Sequence, residues 1–361
     1  MMKLRLYQRY LLRETLAASF LVLGAFLALF SFFDLINELR SIGKGSYEFG
    51  HALVFVVLSL PARVYELLPI AALIGTLYAL STLARHSEIN VLRTAGLSTR
   101  DLLLTLFRAA ALLAVLAFVV GEAVVPYSER MAQNLRTRAL SKMVAQPGFT
   151  TGLWLKDGMN FVNVRSATPD AKLLGIRIYS FDKDGELVSV SEAKEGIFLP
   201  PNRWQLSDVV STVLQGERAR VEQHARWEWK SALNPDLLSV LMISPDRMSL
   251  YGLLNYTSHL IENRLKTERY EIAIWKKLLY PLAAFVMVAL ALPFGYTHDR
   301  VGGVSLKIFS GVMIGIFFHM LNGLFSSLGV INAWPPLASA IAPSLLFMVA
   351  AFAMLWWAER R

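Results

Sequence analysis

The sequence predicts an α-helical polytopic membrane protein with six transmembrane helices, three on each side of an inserted all-β, jelly-roll-like domain. Of its 361 residues, 55% are hydrophobic and only 17% are charged, whereas soluble domains carry about 25% charged residues. The mean hydropathy is +0.46. Long apolar runs occupy both ends of the chain, while the middle alternates apolar and polar residues with the period of strands.

A membrane-spanning helix needs about 20 mostly apolar residues. The N-terminal run follows basic residues, but it is too long for a signal peptide and no convincing small-residue cleavage site follows it. We therefore expect an uncleaved first span. The second run contains Pro61 and Pro69, which predict tilt or a kink. The six predicted spans are Leu16–Ile36, Ala52–Leu83, Leu102–Val125, Ile274–Tyr296, Val304–Leu328 and Pro336–Trp357.

Basic residues gather at alternate ends of the spans, as the positive-inside rule describes. This bias predicts that both termini and the loop after the second span are cytoplasmic. Lys276 and Lys277, at the other end of the fourth span, run against the bias, but they follow a long translocated segment in which the rule has little force. The residues on the predicted cytoplasmic side are Lys3, Arg5, Arg9, Arg13, Arg85, Arg93, Arg100, Arg300, Lys307, Arg360 and Arg361.

The segment between the third and fourth spans is hydrophilic and has many short runs of alternating apolar residues. Turn residues such as Asp157-Gly158 and Asp184-Gly185 separate these runs. Short strands with turns at this spacing are typical of a β-sandwich or jelly roll. We expect three units: membrane half one over residues 1–125, a β domain with a helical return over 126–271, and membrane half two over 272–361.

The composition and motifs exclude several classes of function. The chain has no cysteine, so it has neither thiolate chemistry nor a disulfide. Phosphate-binding loops, H-E-x-x-H and nucleophile-elbow signatures are missing, so no catalytic site is expected. His319 has no second candidate ligand a turn away, so we expect no metal site. The net charge of +9 is explained by topology and does not require a nucleic-acid partner.

A charged island, Ala84–Asp101, separates the second and third spans. Ile89, Leu92 and Gly96 recur at helical spacing, and Gly96 suits the residue that ends a helix. Ser98 lies three residues before Asp101, the signature of a capping box. Such a short helix could transmit movement from a soluble partner, or it could be a connector resting on lipid headgroups.

Charged residues near the spans can either pair with one another inside the chain or serve a bound ligand. Arg63 and Glu66, a turn apart in the second span, most simply pair with each other. Beyond the first and third spans lie Arg40, Lys44, Arg136 and Arg138. These four residues either form a basic rim for an anionic lipid headgroup or act as ordinary interfacial anchors.

Aromatic and small residues recur at helical spacing in spans one and five. Small residues four apart, such as Gly311 and Gly315, let helices approach closely, within a chain or between chains. The apolar sets suit a lipid cavity or gate, although each residue could equally be lipid-facing or packed. The candidate set is Phe26, Phe30, Phe33, Gly311, Gly315, Phe317, Phe318 and Leu321.

With this layout, a series of short motifs resembles the LptF/LptG permeases of lipopolysaccharide export across the whole chain. The later motifs favour the LptG branch of that family. The motifs are Gly45-Ser46-Tyr47, Leu60-Pro61, Pro69-Ile70-Ala71-Ala72-Leu73, Leu83-Ala84-Arg85, Ser87-Glu88, Ala95-Gly96, Gly121-Glu122 with Pro126, Gly152-Leu153-Trp154, Lys156-Asp157-Gly158 and Phe161-Val162.

The resemblance implies a non-catalytic subunit of an ABC exporter in the inner membrane of a Gram-negative cell, with a periplasmic β domain. Its implied partners are an LptF-type permease, an LptB-type ATPase dimer, an LptC-type single-span protein and a periplasmic bridge protein. ATP and Mg would be held by the ATPase, and this chain would hold no cofactor. The matching ATPase-coupling residues are Arg85, Glu88, Ile89, Leu92, Arg93 and Gly96, with Glu88 in the acidic contact position.

In the same family, spans one and five line the lipid cavity, and residues matching Arg40 and Arg136 face the phosphates of lipopolysaccharide. Two other classes of function remain open from the residues. One is a proton-coupled secondary lipid transporter that uses Glu66, Glu122 or His319 as a relay. The other is a membrane-anchored β-domain adaptor, which needs only one or two spans.

Overall fold

A computed structural model gives the fold. It describes residues 6–140, 153–167, 172–182, 184–200, 202–215, 218–231, 244–262, 265–295 and 304–359. The expected end of span four at Tyr296 lies outside these ranges. So do the motif residue Gly152 and the basic residues Lys3, Arg5, Arg300, Arg360 and Arg361.

Six helices are long and apolar enough to cross a membrane, which confirms the predicted 3+3 layout. The central one is α2, with 78% of its most apolar window buried inside the chain. Pro61 and Pro69 both lie within it. The helices before the sheet are α1 (Leu6–Leu39), α2 (Phe49–Arg85), α3 (Glu88–Thr94), α4 (Thr99–Val119) and α5 (Val125–Leu140); those after it are α6 (Leu250–Glu262), α7 (Glu268–Gly295), α8 (Val304–Ile331) and α9 (Pro336–Glu359).

The third span is longer than the sequence indicates. A π-helical turn, Val120–Val124, joins α4 to α5, and the helix continues to Leu140. Pro126 has no N–H with which to bond the carbonyl of Glu122, so the α-helical pattern cannot run unchanged through this point. The expected domain boundary at residue 126 therefore falls inside a continuous helix, and the sheet begins only at Leu153.

The inserted domain is all-β, as predicted. Its described strands form one antiparallel sheet in which β1 to β6 are neighbours in chain order. One face of the sheet carries a buried cluster that runs from Val162 on β2 to Trp229 on β6, with Trp204 fully buried. The strands are β1 (Leu153–Asp157), β2 (Asn160–Ala167), β3 (Lys172–Phe181), β4 (Leu187–Leu199), β5 (Arg203–Gln215) and β6 (Arg218–Lys230).

The sheet has fewer and longer strands than the pattern suggests. The sequence indicates separate strands at Trp204–Leu206 and Val209–Leu214, but both belong to β5. The expected break coincides with Asp208, whose φ of 51° is left-handed for a residue other than glycine. A polar residue in an unusual backbone conformation interrupts the alternation without ending the strand.

The membrane bundle has two ends. One apolar cluster joins Ile89 of α3 to residues of α1, α2, α4, α7 and α9, and at the terminal end it includes Leu11, Leu83, Leu102, Leu292 and Leu355. At the β-domain end, α5 leaves the bundle and α6 and α7 return to it. The candidate functional residues fall at these two ends and along the helices between them.

Candidate functional site

The charged island folds as the sequence predicts. A short helix, α3, occupies Glu88–Thr94. Gly96, with φ of 93°, adopts the left-handed conformation expected just after a helix. The backbone N–H of Asp101 donates a 3.1 Å hydrogen bond to the Ser98 side chain, which caps α4. Two turn signals in the sequence therefore define the bend between α3 and the third span.

The side chains of α3 divide into an inner and an outer set. Ile89 is 4% exposed and packs into the terminal-end cluster. Val91 is 65% exposed, so an apolar side chain lies open on the outer surface of the helix. The Glu88 carboxylate lies beside the Tyr10 hydroxyl of α1. Ile89, one of the predicted coupling residues, therefore packs α3 against the bundle, and Val91, which is not among the predicted residues, is the apolar side chain on the outer surface.

The other predicted coupling residues surround this helix. Arg85 is exposed in the last turn of α2, and Arg93 is exposed in the last turn of α3. Leu92 is half-buried and Gly96 is exposed. The structure therefore brings the whole set together on one loop. Both arginines lie on its surface, where a soluble partner could reach them.

Helices α1 and α8 pack on neighbouring strips of α2, and the angle between these two helices is called the trough below. One strip of α2 packs against α1, through Leu67 and Ala71 beside Leu23. The neighbouring strip, Ile70, Ile74 and Leu77, packs against α8. Adjacent members of the two strips are one residue apart, which is about 100° of helical rotation. Helices α1 and α8 thus stand on neighbouring sides of α2.

The two walls of the trough are the least buried of the six spans. Only 11% of the most apolar window of α1 and 22% of that of α8 are buried inside the chain. Phe26 and Phe30 are half-buried against α2, whereas Phe33 is 51% exposed. The large exposed apolar side chains of α8 are Leu306, Phe309, Met313, Ile316, Phe317, Met320, Leu324, Val330 and Ile331.

The small residues of α8 face inward. A Cβ added to Gly311 would lie 2.5 Å from Leu77, and one added to Gly315 would lie 2.7 Å from Ile70. Phe318 is 4% exposed and makes an edge-on contact with Phe347 of α9, with ring centroids 5.1 Å apart. These three residues therefore pack closely within this chain.

Two of the predicted cavity residues on α8 remain accessible. Phe317 is 49% exposed, and Leu321 is half-buried at the edge of the cluster that contains Phe318. The surface of α8 that a lipid could reach therefore includes Phe317 but not the glycine strip. The sequence did not separate these two faces because both are apolar throughout.

The predicted basic residues meet at the β-domain end. The backbone N–H of Ser46 donates a 2.8 Å hydrogen bond to the carbonyl of Ala139, which ties the loop after α1 to the end of α5. Arg40 and Lys44 lie exposed on that loop, and Arg138 is exposed on α5. The structure thus gathers the four positions into one rim.

Arg136 differs from the other members of the rim because its guanidinium contacts side chains of the same chain. Its guanidinium lies 3.5 Å from the buried carboxylate of Glu38 and 5.3 Å from the ring centroid of Phe55. The Tyr47 hydroxyl donates a 2.9 Å hydrogen bond to the same carboxylate. Burial, with this hydrogen bond, raises the pKa of Tyr47 well above its ordinary value, so the hydroxyl remains a donor at neutral pH. The anchor reading fits Arg136 better than Arg40.

Arg63 and Glu66 pair as predicted, at 3.0 Å, but Arg63 has a second partner. Its guanidinium makes two parallel hydrogen bonds, 2.8 and 2.9 Å long, to the carboxylate of Asp34 on α1. Glu66 in turn contacts Arg247, whose other partner is the buried Glu129 of α5 at 3.0 Å. This charge network, from Asp34 to Glu129, joins α1, α2 and α5 to the turn that precedes α6.

A second pair supports the same end of the bundle. Glu122, in the π-helical turn, lies 3.0 Å from Lys277 of α7 and accepts hydrogen bonds from the backbone N–H of Leu250, at the start of α6. Sequence reasoning placed Glu122 near the membrane surface but could not name its partners, which are more than 100 residues away in the chain. No three His, Asp or Glu side chains of the described residues are placed to hold a metal ion.

Comparison with known proteins agrees with this architecture. A family model for the lipopolysaccharide export system permease LptF/LptG matches residues 9–357. The permease protein LptG of Haemophilus influenzae is 31% identical over 350 residues, covering 97% of this chain and 96% of that protein. LptG of Escherichia coli K12 is 32% identical over 358 residues, covering 98% of each chain. LptF of the same strain matches at 29% over 140 residues, 39% of this chain. The chain therefore belongs to the LptF/LptG family of lipopolysaccharide export system permeases.

Proposed function

We propose that this chain is the LptG-type permease subunit of an ATP-driven exporter that extracts lipopolysaccharide from the inner membrane of a Gram-negative cell. The observation that carries the proposal is the trough over α2. Its walls, α1 and α8, are the two least buried spans, and both present large apolar side chains. Such a surface accepts acyl chains, or a second subunit, without a large change in the bundle.

The energetics of the transported lipid require this kind of surface. Each CH₂ group moved from a bilayer into water costs about 0.8 kcal/mol, so a chain of a dozen carbons costs about 10 kcal/mol. Phe26, Phe30 and Phe33 lie on one side of α1 and would cover such a chain as it leaves the bilayer. The exposed Arg40 and Lys44 above them would attract the phosphates of the headgroup.

The proposed assembly follows from the family and from the exposed surfaces. An LptF-type permease would face α1 and α8 and close the trough. An LptB-type ATPase dimer, holding ATP and Mg, would contact α3 through Val91 and the nearby charged residues. An LptC-type protein and a periplasmic bridge protein would receive the lipid. Both termini would then be cytoplasmic and the β domain periplasmic, in agreement with the distribution of basic residues.

The alternative functions have less support. The proton relay would use Glu66, Glu122 or His319, but both carboxylates are already held by a cation and by backbone or side-chain contacts across the bundle. The adaptor needs only one or two spans, whereas six candidate spans are present. Matching LptG relatives along nearly the whole chain also favour the exporter.

Site-specific photocrosslinking tests the proposal in cells. A photoreactive amino acid replaces Phe33, which is 51% exposed on α1, and in a second strain it replaces Phe352, which is 63% exposed on α9. We expect a lipopolysaccharide adduct at position 33 and little or none at position 352, because only α1 lines the trough. Equal adducts at both positions, or adducts at 352 alone, would contradict the proposal.

A charge change tests the headgroup rim in the same assay. Arg40→Glu combined with Lys44→Glu removes two exposed cations without breaking any internal ion pair that involves Arg136. We expect the adduct at position 33 to decrease while expression stays normal. An unchanged adduct would return these residues to the role of interfacial anchors.

A further inference from the structure

A separate cavity lies at the β-domain end of the bundle, among α2, α7, α8 and α9. Its volume is about 480 Å³, within the range of sites that hold small organic ligands. The lining includes Tyr65, Glu66, Ile70, Lys276, Ala283, Phe318, Gly323, Leu324 and Ala340. None of the described lining residues belongs to α1, the other wall of the trough.

The lining is mostly apolar, with charged groups where α7 enters the bundle and the polar side chains of His319, Asn322 and Ser344 on α8 and α9. Lys276 and Asp246 lie where α7 enters the bundle, and Ala283 lies seven residues deeper on α7, which is about 10 Å along the helix. One leaflet of a bilayer core is about 15 Å thick. The cavity therefore extends from the membrane surface through much of one leaflet, which is the shape of an acyl chain beneath a polar headgroup.

The two lysines that run against the charge bias of the sequence differ in their surroundings. Lys277 is 7% exposed and is bound by Glu122 and the carbonyl of Met248. Lys276 pairs with Asp246 at 2.9 Å, and the side chain of Asp246 is 64% exposed. An ion pair that is open to water on one side contributes little to stability. Lys276 can therefore exchange this partner for an anion at the mouth of the cavity.

The wall formed by α8 is open to the side. A Cβ added to Gly323 would meet no atom within 4 Å, unlike one added to Gly311 or Gly315. Met320 and Leu324, on either side of Gly323, are 57% and 47% exposed. Gly323 therefore places no side chain in this part of the cavity wall, at an exposed position of α8, and this place is called the gap. A ligand from the bilayer would enter there.

We propose that this cavity binds one acyl chain of an anionic glycerophospholipid from the surrounding bilayer, with the phosphate beside Lys276. The mostly apolar lining favours a hydrocarbon chain, and Lys276 favours an anionic headgroup. The gap at Gly323 faces the bilayer, which favours a ligand that diffuses in the membrane. His319 adds a polar group to the lining. The site is distinct from the trough and does not depend on its proposed function.

Photolabelling of the full chain in nanodiscs tests this site. The probe is phosphatidylglycerol with a diazirine in one acyl chain, and labelled peptides are mapped by mass spectrometry. We expect labels within residues 318–324 and 340–344. Gly323→Leu fills the gap, and labelling should decrease about tenfold, equivalent to about 1.4 kcal/mol of affinity. Ala338→Leu, at an exposed position of α9, is the matched control and should leave labelling unchanged.

Two further variants separate a true site from an effect on folding. Leu324→Trp obstructs the same gap from an exposed position and should lower labelling while the thermal stability of the chain stays unchanged. Lys276→Gln should lower labelling by phosphatidylglycerol but not by phosphatidylcholine carrying the same diazirine. A decrease that is seen with phosphatidylglycerol and not with phosphatidylcholine would show that the anionic headgroup lies beside Lys276.

Three results would overturn the proposal. The first is the absence of labels in both segments, and the second is labelling that neither Gly323→Leu nor Leu324→Trp reduces. The third comes from a diazirine-bearing lipopolysaccharide used at the same density. If it labels these segments more strongly than phosphatidylglycerol does, the cavity belongs to the path of the transported lipid and not to a bilayer phospholipid.

Discussion

The two ends of the membrane bundle are held together by different interactions. At the terminal end, Ile89 of α3 is buried in an apolar cluster with Leu102 and Leu106 of α4. At the β-domain end, ion pairs run from Asp34 through Arg63 and Arg247 to Glu129. Apolar packing depends mainly on volume and shape, whereas each charge in a half-buried network depends on a specific partner.

This difference indicates what each end can do. An apolar anchor such as Ile89 allows a short helix to move with a bound partner, because the outer side chains of the helix remain available for contact. The charge network instead fixes the angle at which α1, α2 and α5 meet the turn before α6. Movement applied at α3 would then be transmitted along α2 to a stiff, polar joint near the β domain.

The largest expected effect is at the apolar anchor. Ile89→Ala leaves a cavity beneath α3 and should lower the free energy of unfolding by about 2–4 kcal/mol. Val91→Ala, on the exposed side of the same helix, should leave stability unchanged but reduce co-purification with the proposed LptB-type ATPase. Chemical unfolding in detergent and a pull-down measure the two effects. If Val91→Ala destabilises the chain as much as Ile89→Ala, the two sides of α3 have been assigned wrongly.

A smaller effect is expected at the charge network. Arg63→Ala leaves Asp34 without its bidentate partner and removes one of the two cations that contact Glu66. The free energy of unfolding should therefore decrease by about 2 kcal/mol. The control is Lys194→Ala in the sheet, whose 3.0 Å pair with Asp208 is exposed on both sides; it should change stability by about 0.5 kcal/mol or less. Thermal unfolding in detergent compares them. Equal shifts would show that the network contributes no more than a surface pair.

The smallest expected effect concerns a single hydroxyl inside the bundle. Pro69 has no N–H, so the carbonyl of Tyr65 loses its usual partner in α2, and the Tyr280 hydroxyl donates a 2.8 Å hydrogen bond to it. Tyr280→Phe should cost about 1 kcal/mol, typical of polar contacts between membrane helices. Tyr251→Phe, at a residue that is 78% exposed, is the control in the same unfolding assay. No difference between the variants would mean that water or another group satisfies the carbonyl.

Local signals in the sequence determined much of the fold. Apolar runs of sufficient length predicted the six spans, because a helix that crosses hydrocarbon must be apolar over about 20 residues. Gly96 and Ser98 predicted the end of α3 and the start of α4, because left-handed backbone and capping are properties of one or two residues. The alternation of apolar and polar residues predicted the all-β insertion, although the interruption at Asp208 led to the prediction of two strands where the structure has one.

Tertiary structure alone decided which side of each helix is free. Apolar residues lie on several sides of spans one and five, so periodicity could not distinguish the side of Gly311 that packs on α2 from the side of Phe317 that is exposed. Similarly, no local pattern could pair Arg247 with Glu129 or place Lys276 at the mouth of a cavity. Such contacts join residues that are far apart in the chain, and only the packing of whole helices brings them together.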